Sequence, residues 1–468
     1  MNLIKLYIVL IVICHYIVKF NSTLPYIKMS KLNYISENLK KSAINVYNEL
    51  EPNYKKELNT IVDNIFNLFD GYFDDIKKEN KLIYTLVESK STKIYDMDGI
   101  DTSNIILNKL NRIRIYDLIF NMNKIKITIY HEDIKDNTVL DQNIYNIMKR
   151  LINLFTLYQY KKNDTYDLLN YEYIFYLYSN PRTSNRNKSG KQYIDSLYNS
   201  KNRCFNASSG VTIPGEMILK VSRTEDFLGL LTHEILHACG IININKQFTI
   251  HNIEIKLTEA FVNMLAAIIN VYLTCYENET PELIKQYLLI ELIHSINHMV
   301  KYSIIQGYDI NTILDMKQDI MLSQKACMFE YIVGKMILFM NFDKICKIKE
   351  FSQKLFSLTV PWDEFSLDNI IIDKFLILYK TSNIIKVINI IHTNYLNDYE
   401  ESKSICGNML MSYYAIDMMV LGKQIINLYG GSNMDSNVND IQNNYIQNNY
   451  IKKYMKYKTK YLILKKFI

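Results

Sequence analysis

The chain has 468 residues, and its 54 Lys and Arg against 48 Asp and Glu give a formal net charge of +6, too small to imply a nucleic-acid partner by charge alone. Apolar residues make up 49 % of it, enough to bury a sizeable core. With only 13 Gly and 6 Pro, the composition argues against a turn-rich sandwich or barrel and for a helix-rich chain of two or three modest domains.

At the N-terminus, Lys5 precedes an uncharged apolar run from Leu6 to Val18, which Lys19 closes. The run has the length of a signal-peptide core and is short for a membrane span, which needs about 20 residues. His15 interrupts it and no small-x-small cleavage site follows, so residues 1–27 read as a signal peptide or an uncleaved signal anchor. Either implies a secreted or membrane-associated protein of the secretory pathway. Of seven cysteines Cys14 lies in this segment, leaving Cys204, Cys239, Cys275, Cys327, Cys346 and Cys406, a number compatible with disulfides although no spacing fixes a pairing. The absence of any CxxC pair excludes a thiolate zinc ribbon.

Residues 28–118 read as a mostly helical N-terminal region without a chemical motif. Lys124-Ile-Lys-Ile-Thr-Ile-Tyr130 alternates polar and apolar residues and predicts a strand. Helical spacing follows from Asn143 to Tyr160, then a second strand over Tyr171–Tyr178. A polar stretch from Ser179 to Ser209 reads as an exposed loop, and Gly215-Glu-Met-Ile-Leu-Lys-Val221 as a third strand. A helix is expected to begin near Ser222, where Ser222-Arg-Thr-Glu225 matches a capping box. Leu228, Leu231, Ile235 and Cys239 form its buried stripe, and Gly240 stands where a terminating glycine belongs. Helical patterning resumes near Ile255 and runs to about Tyr429. Gly430-Gly431-Ser432 opens an Asn-rich linker, and Tyr454, Tyr457, Tyr461, Leu464 and Ile468 stripe a lysine-rich amphipathic helix at the C-terminus. Such a helix fits docking or an anionic membrane surface; no specific nucleic acid is predicted for it.

The chemistry-bearing motif is His233-Glu234-Ile235-Leu236-His237. Histidines four apart on a helix share a face, about 6 Å apart along the axis, so their imidazoles can converge on one ion. Glu234 flanks that ion without having to bind it, and from there can act as general base. The neighbours Leu230, Leu231, Thr232, Ile235, Leu236 and Ala238 carry no charge, as a buried metal helix requires.

This segment resembles the zincins, the HExxH metallopeptidase superfamily. The resemblance is specific over about residues 215–266 and looser back to about residue 120. It implies an α+β fold: a zincin-like catalytic domain over 119–429, with a small mixed sheet and the active-site helix in 119–240 and a mainly helical subdomain in 241–429. It further implies Zn2+ as cofactor and a peptide or protein substrate. The metzincin pattern fails at Asn243, where a third histidine would stand. The gluzincin pattern takes a glutamate from a following helix, and Leu257-Thr-Glu-Ala-Phe-Val-Asn-Met-Leu-Ala266 resembles that helix. Glu259 is then the third ligand, with His251 its rival, and Asn263 one turn later can hold a ligand imidazole. For oxyanion stabilisation the resemblance leaves His294, His298 and Tyr331 as candidates. The segment from Gly210 to His237 is also similar to uncharacterised zincin-like proteins of large DNA viruses, which implies a viral and virion-associated setting. The competing expectation is a catalytically inactive zincin-fold structural protein.

Overall fold

The structure is a computed structural model that describes residues 43–44, 46–69, 71–73, 76, 82–94, 104–133, 137–158, 168–178, 210–222, 227–240, 244, 246–324, 327–347, 364–380 and 388. All of them fall within a unit that ends at Gln424. The apolar N-terminal segment, the capping-box residues 223–225, the polar stretch 179–209, Asn243 and the C-terminal basic helix lie outside the described residues.

The fold is mixed α+β. A six-stranded sheet contains β1 (Ile83–Ser91), β2 (Arg112–Phe120), β3 (Asn123–His131), β4 (Glu172–Leu177), β5 (Gly210–Ile213) and β6 (Ile218–Ser222), in the order β1-β2-β3-β4-β6-β5. Strands β1 to β3 form an antiparallel meander, β3, β4 and β6 run parallel, and β5 returns antiparallel along the far edge. On β3, Ile125, Ile127 and Ile129 point into the core, as the period-2 pattern requires. A two-residue turn joins β2 to β3 with Asn121 and Met122 both left-handed, at φ 47° and 64°.

Two expectations change here. The region 28–118 is helical over α1 (Pro52–Phe69), but β1 and β2 lie in the same stretch and belong to the main sheet, so a boundary at 118/119 would cut through β2. The alternation that identifies β2 is present in Arg112-Ile-Arg-Ile-Tyr116. Strand β1 lacks it, because an exposed edge strand has no buried face to pattern. The strand expected over 215–221 is present as β6 from Ile218 onward, but its first residues belong to a turn at Pro214–Glu216 between β5 and β6, with Met217 left-handed at φ 52°.

Helices cover the sheet. The crossover α2 (Asn137–Tyr158) joins β3 to β4, and α3 (Phe227–Ala238) follows β6 and packs on β5 and β6. Helix α3 stops at Gly240, which adopts φ 58° and donates its N–H to the His237 carbonyl. A short hairpin, β7 (Phe248–Ile250) and β8 (Ile253–Ile255), leads into α4 (Leu257–Glu277). Helix α4 is apolar and long enough to cross a membrane, yet 89 % of its most apolar window is buried inside the fold, so its surface is spent on the core. Beyond it come α5 (Ile284–Gln306), a π-helical turn at Glu330–Gly334 that runs into α6 (Lys335–Met340), and α7 (Glu364–Lys380). Cys239, Cys275 and Cys327 form no disulfide.

Helices α2, α3 and α4 are joined by a polar bolt. Arg150 on α2 is fully buried. Its Nη1 donates to Asn270 Oδ1 on α4 at 2.6 Å and to Thr232 Oγ1 on α3 at 3.3 Å, while Nη2 donates to Thr274 Oγ1 at 3.0 Å. A guanidinium offers five donors in a fixed fork, so one side chain sets the relative position of three helices.

Candidate metal centre

Three side chains converge where α3 meets α4. His233 and His237 lie one turn apart on α3, and their Nε2 atoms are 3.1 Å from each other. Glu259, in the first turn of α4, places Oε2 3.5 Å from His233 Nε2 and 3.4 Å from His237 Nε2. Among the described residues these three form the group of potential ligands able to hold a metal ion. Ligand atoms bound tetrahedrally at about 2.0–2.1 Å stand about 3.3–3.4 Å from each other, so the triangle already has the dimensions of a metal site. Three electron-rich atoms this close repel unless a proton or a cation lies among them.

The electrostatics agree. Burial pushes the Glu259 carboxyl up, but hydrogen bonds from His233 and His237 and their charge outweigh it and hold it well below the usual carboxylate range. Burial alone would lower His237; the bond to Glu259 and the charges of Glu259 and Glu234 raise it instead. The His233 side chain is 4 % exposed, whereas those of His237 and Glu259 are each 21 % exposed, so the centre opens to solvent on one side.

The carboxylate of Glu234 lies in a cradle made by the edge strand β5. Thr212 Oγ1 lies 2.7 Å from Glu234 Oε2 and 3.0 Å from the Glu234 carbonyl, and its single proton serves one acceptor at a time. Gly210, on the same face of β5, leaves room for the other oxygen: a Cβ there would stand 2.4 Å from Glu234 Oε1. Sequence reading found Glu234 but neither of these two residues.

Tyr331, one of three oxyanion candidates, is at the site. Its hydroxyl donates to Glu259 Oε2 at 3.1 Å, and its ring centroid is 5.8 Å from that of His233. Burial and the nearby negative charge of Glu259 push its hydroxyl well above the ordinary tyrosine value, so it stays a donor. It sits on the π-helical turn, a local widening that often marks functional positions. The rings of His294 and His298 lie 4.0 Å apart inside α5, tilted by 55° to each other and both buried, and they join no third ligand among the described residues.

Two further expectations are corrected. His251 takes no part in the triangle, because its ring nitrogens face the carbonyls of Gln318 at 3.1 Å and Ile313 at 2.8 Å and pin the β7–β8 turn. Asn263 does not brace an imidazole. Its Nδ2 donates to the Tyr331 carbonyl at 3.0 Å, and His233 Nδ1 is buried with no hydrogen-bond partner. Asn263 lies one turn beyond Glu259, a spacing that puts it on the face turned to the π-helical turn.

No protein-family profile, curated protein or solved structure matches this chain.

Proposed function

We propose that the chain is a zinc-dependent metallopeptidase with a zincin-like catalytic domain, and that it hydrolyses peptide bonds. The observation that carries the reading is the triangle of His233 Nε2, His237 Nε2 and Glu259 Oε2, with the carboxylate of Glu234 next to the first ligand on the same helix. Two imidazoles and one carboxylate are the donor set of hydrolytic zinc sites that leave a fourth position open. Bound there, zinc supplies Lewis acidity toward a carbonyl and toward water.

The protein's own groups supply the remainder. Glu234 takes the proton released by the attacking water and returns it to the departing amine. Thr212 holds one carboxylate oxygen of Glu234 and so fixes where the carboxylate sits beside the first ligand. Tyr331, a partly buried donor at the edge of the triangle, is suited to stabilise negative charge on the former carbonyl oxygen. A site retained purely for folding has no need of Glu234 or of its cradle.

The test is zinc content and hydrolysis of a peptide library by the full chain, by Glu259→Ala and by Glu234→Gln. One zinc per chain, weaker zinc in Glu259→Ala, and zinc without turnover in Glu234→Gln are the expected results. Folded wild-type chain without zinc would remove the reading; zinc without turnover in the wild type would favour an inactive, structural zincin.

A further inference from the structure

Helix α4 lacks an N-cap of its own. Lys256 precedes it, and no side chain of the helix or its cap residue bonds the first turn from within. Helices that start at a functional glutamate still need their first N–H groups satisfied, and a buried one left bare costs about 1–3 kcal/mol. Here the acceptor comes from 74 residues away. Glu330 Oε1 accepts the Lys256 N–H at 2.9 Å, and Glu330 is fully buried.

The carboxylate is itself held. Gln324 Nε2 donates to Glu330 Oε2 at 3.1 Å, while Gln324 Oε1 accepts the Phe329 N–H at 2.9 Å. The Gln324 amide is thereby fixed in orientation, since a flip would set a donor against the Phe329 N–H. The rest of the π-helical turn addresses the same two turns of α4. Tyr331 binds the Glu259 carboxylate from its side chain and Asn263 from its carbonyl. Gly334 permits the approach, because a Cβ there would stand 2.7 Å from the Ala260 Cβ.

We infer that Glu330 is a positioning residue for the third metal ligand: it caps α4 in place of a local residue and fixes where Glu259 presents its carboxylate to His233 and His237. This rests on the metal-centre reading. Glu330 touches none of the three ligands. It acts through the backbone of Lys256, three residues ahead of Glu259, while its neighbour Tyr331 holds the carboxylate itself. Partners of this kind behind a ligand typically govern metal affinity by about 10–100-fold.

The experiment measures Zn2+ affinity of the full chain by competition with a chromophoric chelator, and the visible spectrum of the Co2+-loaded chain. Variants are Glu330→Ala, Glu330→Gln and Gln324→Ala. The expected result is a loss of about 10–100-fold in zinc affinity for Glu330→Ala, with an altered Co2+ spectrum. Glu330→Gln keeps an acceptor for Lys256 but sets its amide against Gln324, so its loss is smaller. Gln324→Ala leaves the carboxylate in place and loses least. Should Glu330→Ala fail to fold, the other two carry the ranking. A purely structural role for Glu330 would lower thermal stability while the folded variants keep wild-type zinc affinity and Co2+ spectrum, and that result overturns the inference. A wild-type chain that binds no zinc would instead bring down the metal-centre reading on which it stands.

Discussion

Arg150 and Glu277 meet in the interior as a two-pronged pair, Nε to Oε1 at 2.7 Å and Nη2 to Oε2 at 2.8 Å. The arginine comes from the crossover helix α2 and the glutamate from the last turn of α4, with Asn153 also donating to Glu277 Oε1 at 3.1 Å. One prong of the same guanidinium reaches Thr232, the residue before His233. The metal helix, held beside His233, and the glutamate helix, held in its C-terminal half away from Glu259, are therefore registered against each other, and a small rotation of α4 would carry Glu259 off the histidines.

Truncating Arg150 leaves a buried carboxylate without its counter-charge. Arg150→Met is expected to cost about 3–5 kcal/mol of unfolding free energy, read by urea denaturation. The double variant Arg150→Met/Glu277→Leu should cost less than the single one, because it removes the stranded charge. It recovers only part of the loss, since Asn270 and Thr274 still lose a donor. A single variant within about 1 kcal/mol of the wild type would show that the bolt is dispensable.

The cradle around Glu234 makes a sharper functional forecast. Gly210→Ala puts a methyl group into space that Glu234 Oε1 occupies, so the carboxylate must swing away. The triangle of ligands is untouched. The expected outcome is a fall of about 10²–10⁴ in peptide hydrolysis with zinc content unchanged. Thr212→Val removes one hydrogen bond to the carboxylate and adds no bulk, so its loss is smaller. Wild-type turnover in zinc-loaded Gly210→Ala would mean that Glu234 is free to work from another position.

What the sequence made legible is local in the chain. His233, Glu234 and His237 share one turn of helix, and Gly240 ends that helix by its own backbone freedom, so period and punctuation suffice to find them. Glu259 is legible only through the resemblance of residues 257–266 to a gluzincin glutamate helix; the apolar residues of that helix, Leu257, Phe261, Met264, Leu265 and Ile268, are all buried. Residues that act across long separations carried no such mark. Glu330 falls in an ordinary apolar helical pattern, where Tyr331 stands out only as one of three oxyanion candidates, and both gain their place at the site only when the chain folds back on α4. Arg150 reads as the polar side of an amphipathic helix, and only its neighbours reveal that this side faces Glu277. Asn263 shows the converse. Its helix and face were read correctly, but spacing says nothing of what lies opposite, and Tyr331 rather than an imidazole was there.

The β2–β3 turn is built against local preference. Its second residue, Met122, holds φ 64° with its side chain 98 % exposed. A left-handed conformation strains a residue with a Cβ by about 1–2 kcal/mol, and glycine is the residue such two-residue turns prefer in second place. No packing is lost on replacement. Met122→Gly is therefore expected to raise unfolding free energy by about 0.5–1 kcal/mol, the remainder being offset by the greater freedom of glycine in the unfolded chain. Thermal and urea midpoints measure it, and a lower midpoint would show that the turn differs from this conformation in solution.

Stability should fall on the acid side of neutrality, and His298 is a principal cause. Burial, above all, and then the adjoining His294, Lys301 and Lys335 hold its pKa well below the ordinary histidine value, so the folded chain keeps the ring neutral. Among the groups around it, Glu291 is engaged with Lys335 at 2.8 Å, and His298 Nε2 has no hydrogen-bond partner. In the unfolded chain the ring takes up a proton near pH 6.5. Above that pH both states are neutral and the contribution is fully present. As pH falls below about 6.5 the unfolded state binds the proton first, and stability declines by up to about 1.4 kcal/mol per pH unit for this group until the folded value is reached. His131, also lowered by burial, adds a decline of the same sign. Urea denaturation of the wild type between pH 7.5 and about pH 5 should show the slope, and His298→Leu should flatten it. An unchanged slope in that variant would mean that His298 keeps its proton in the folded chain, and that the surrounding cations are farther from it than their arrangement along α5 and α6 implies.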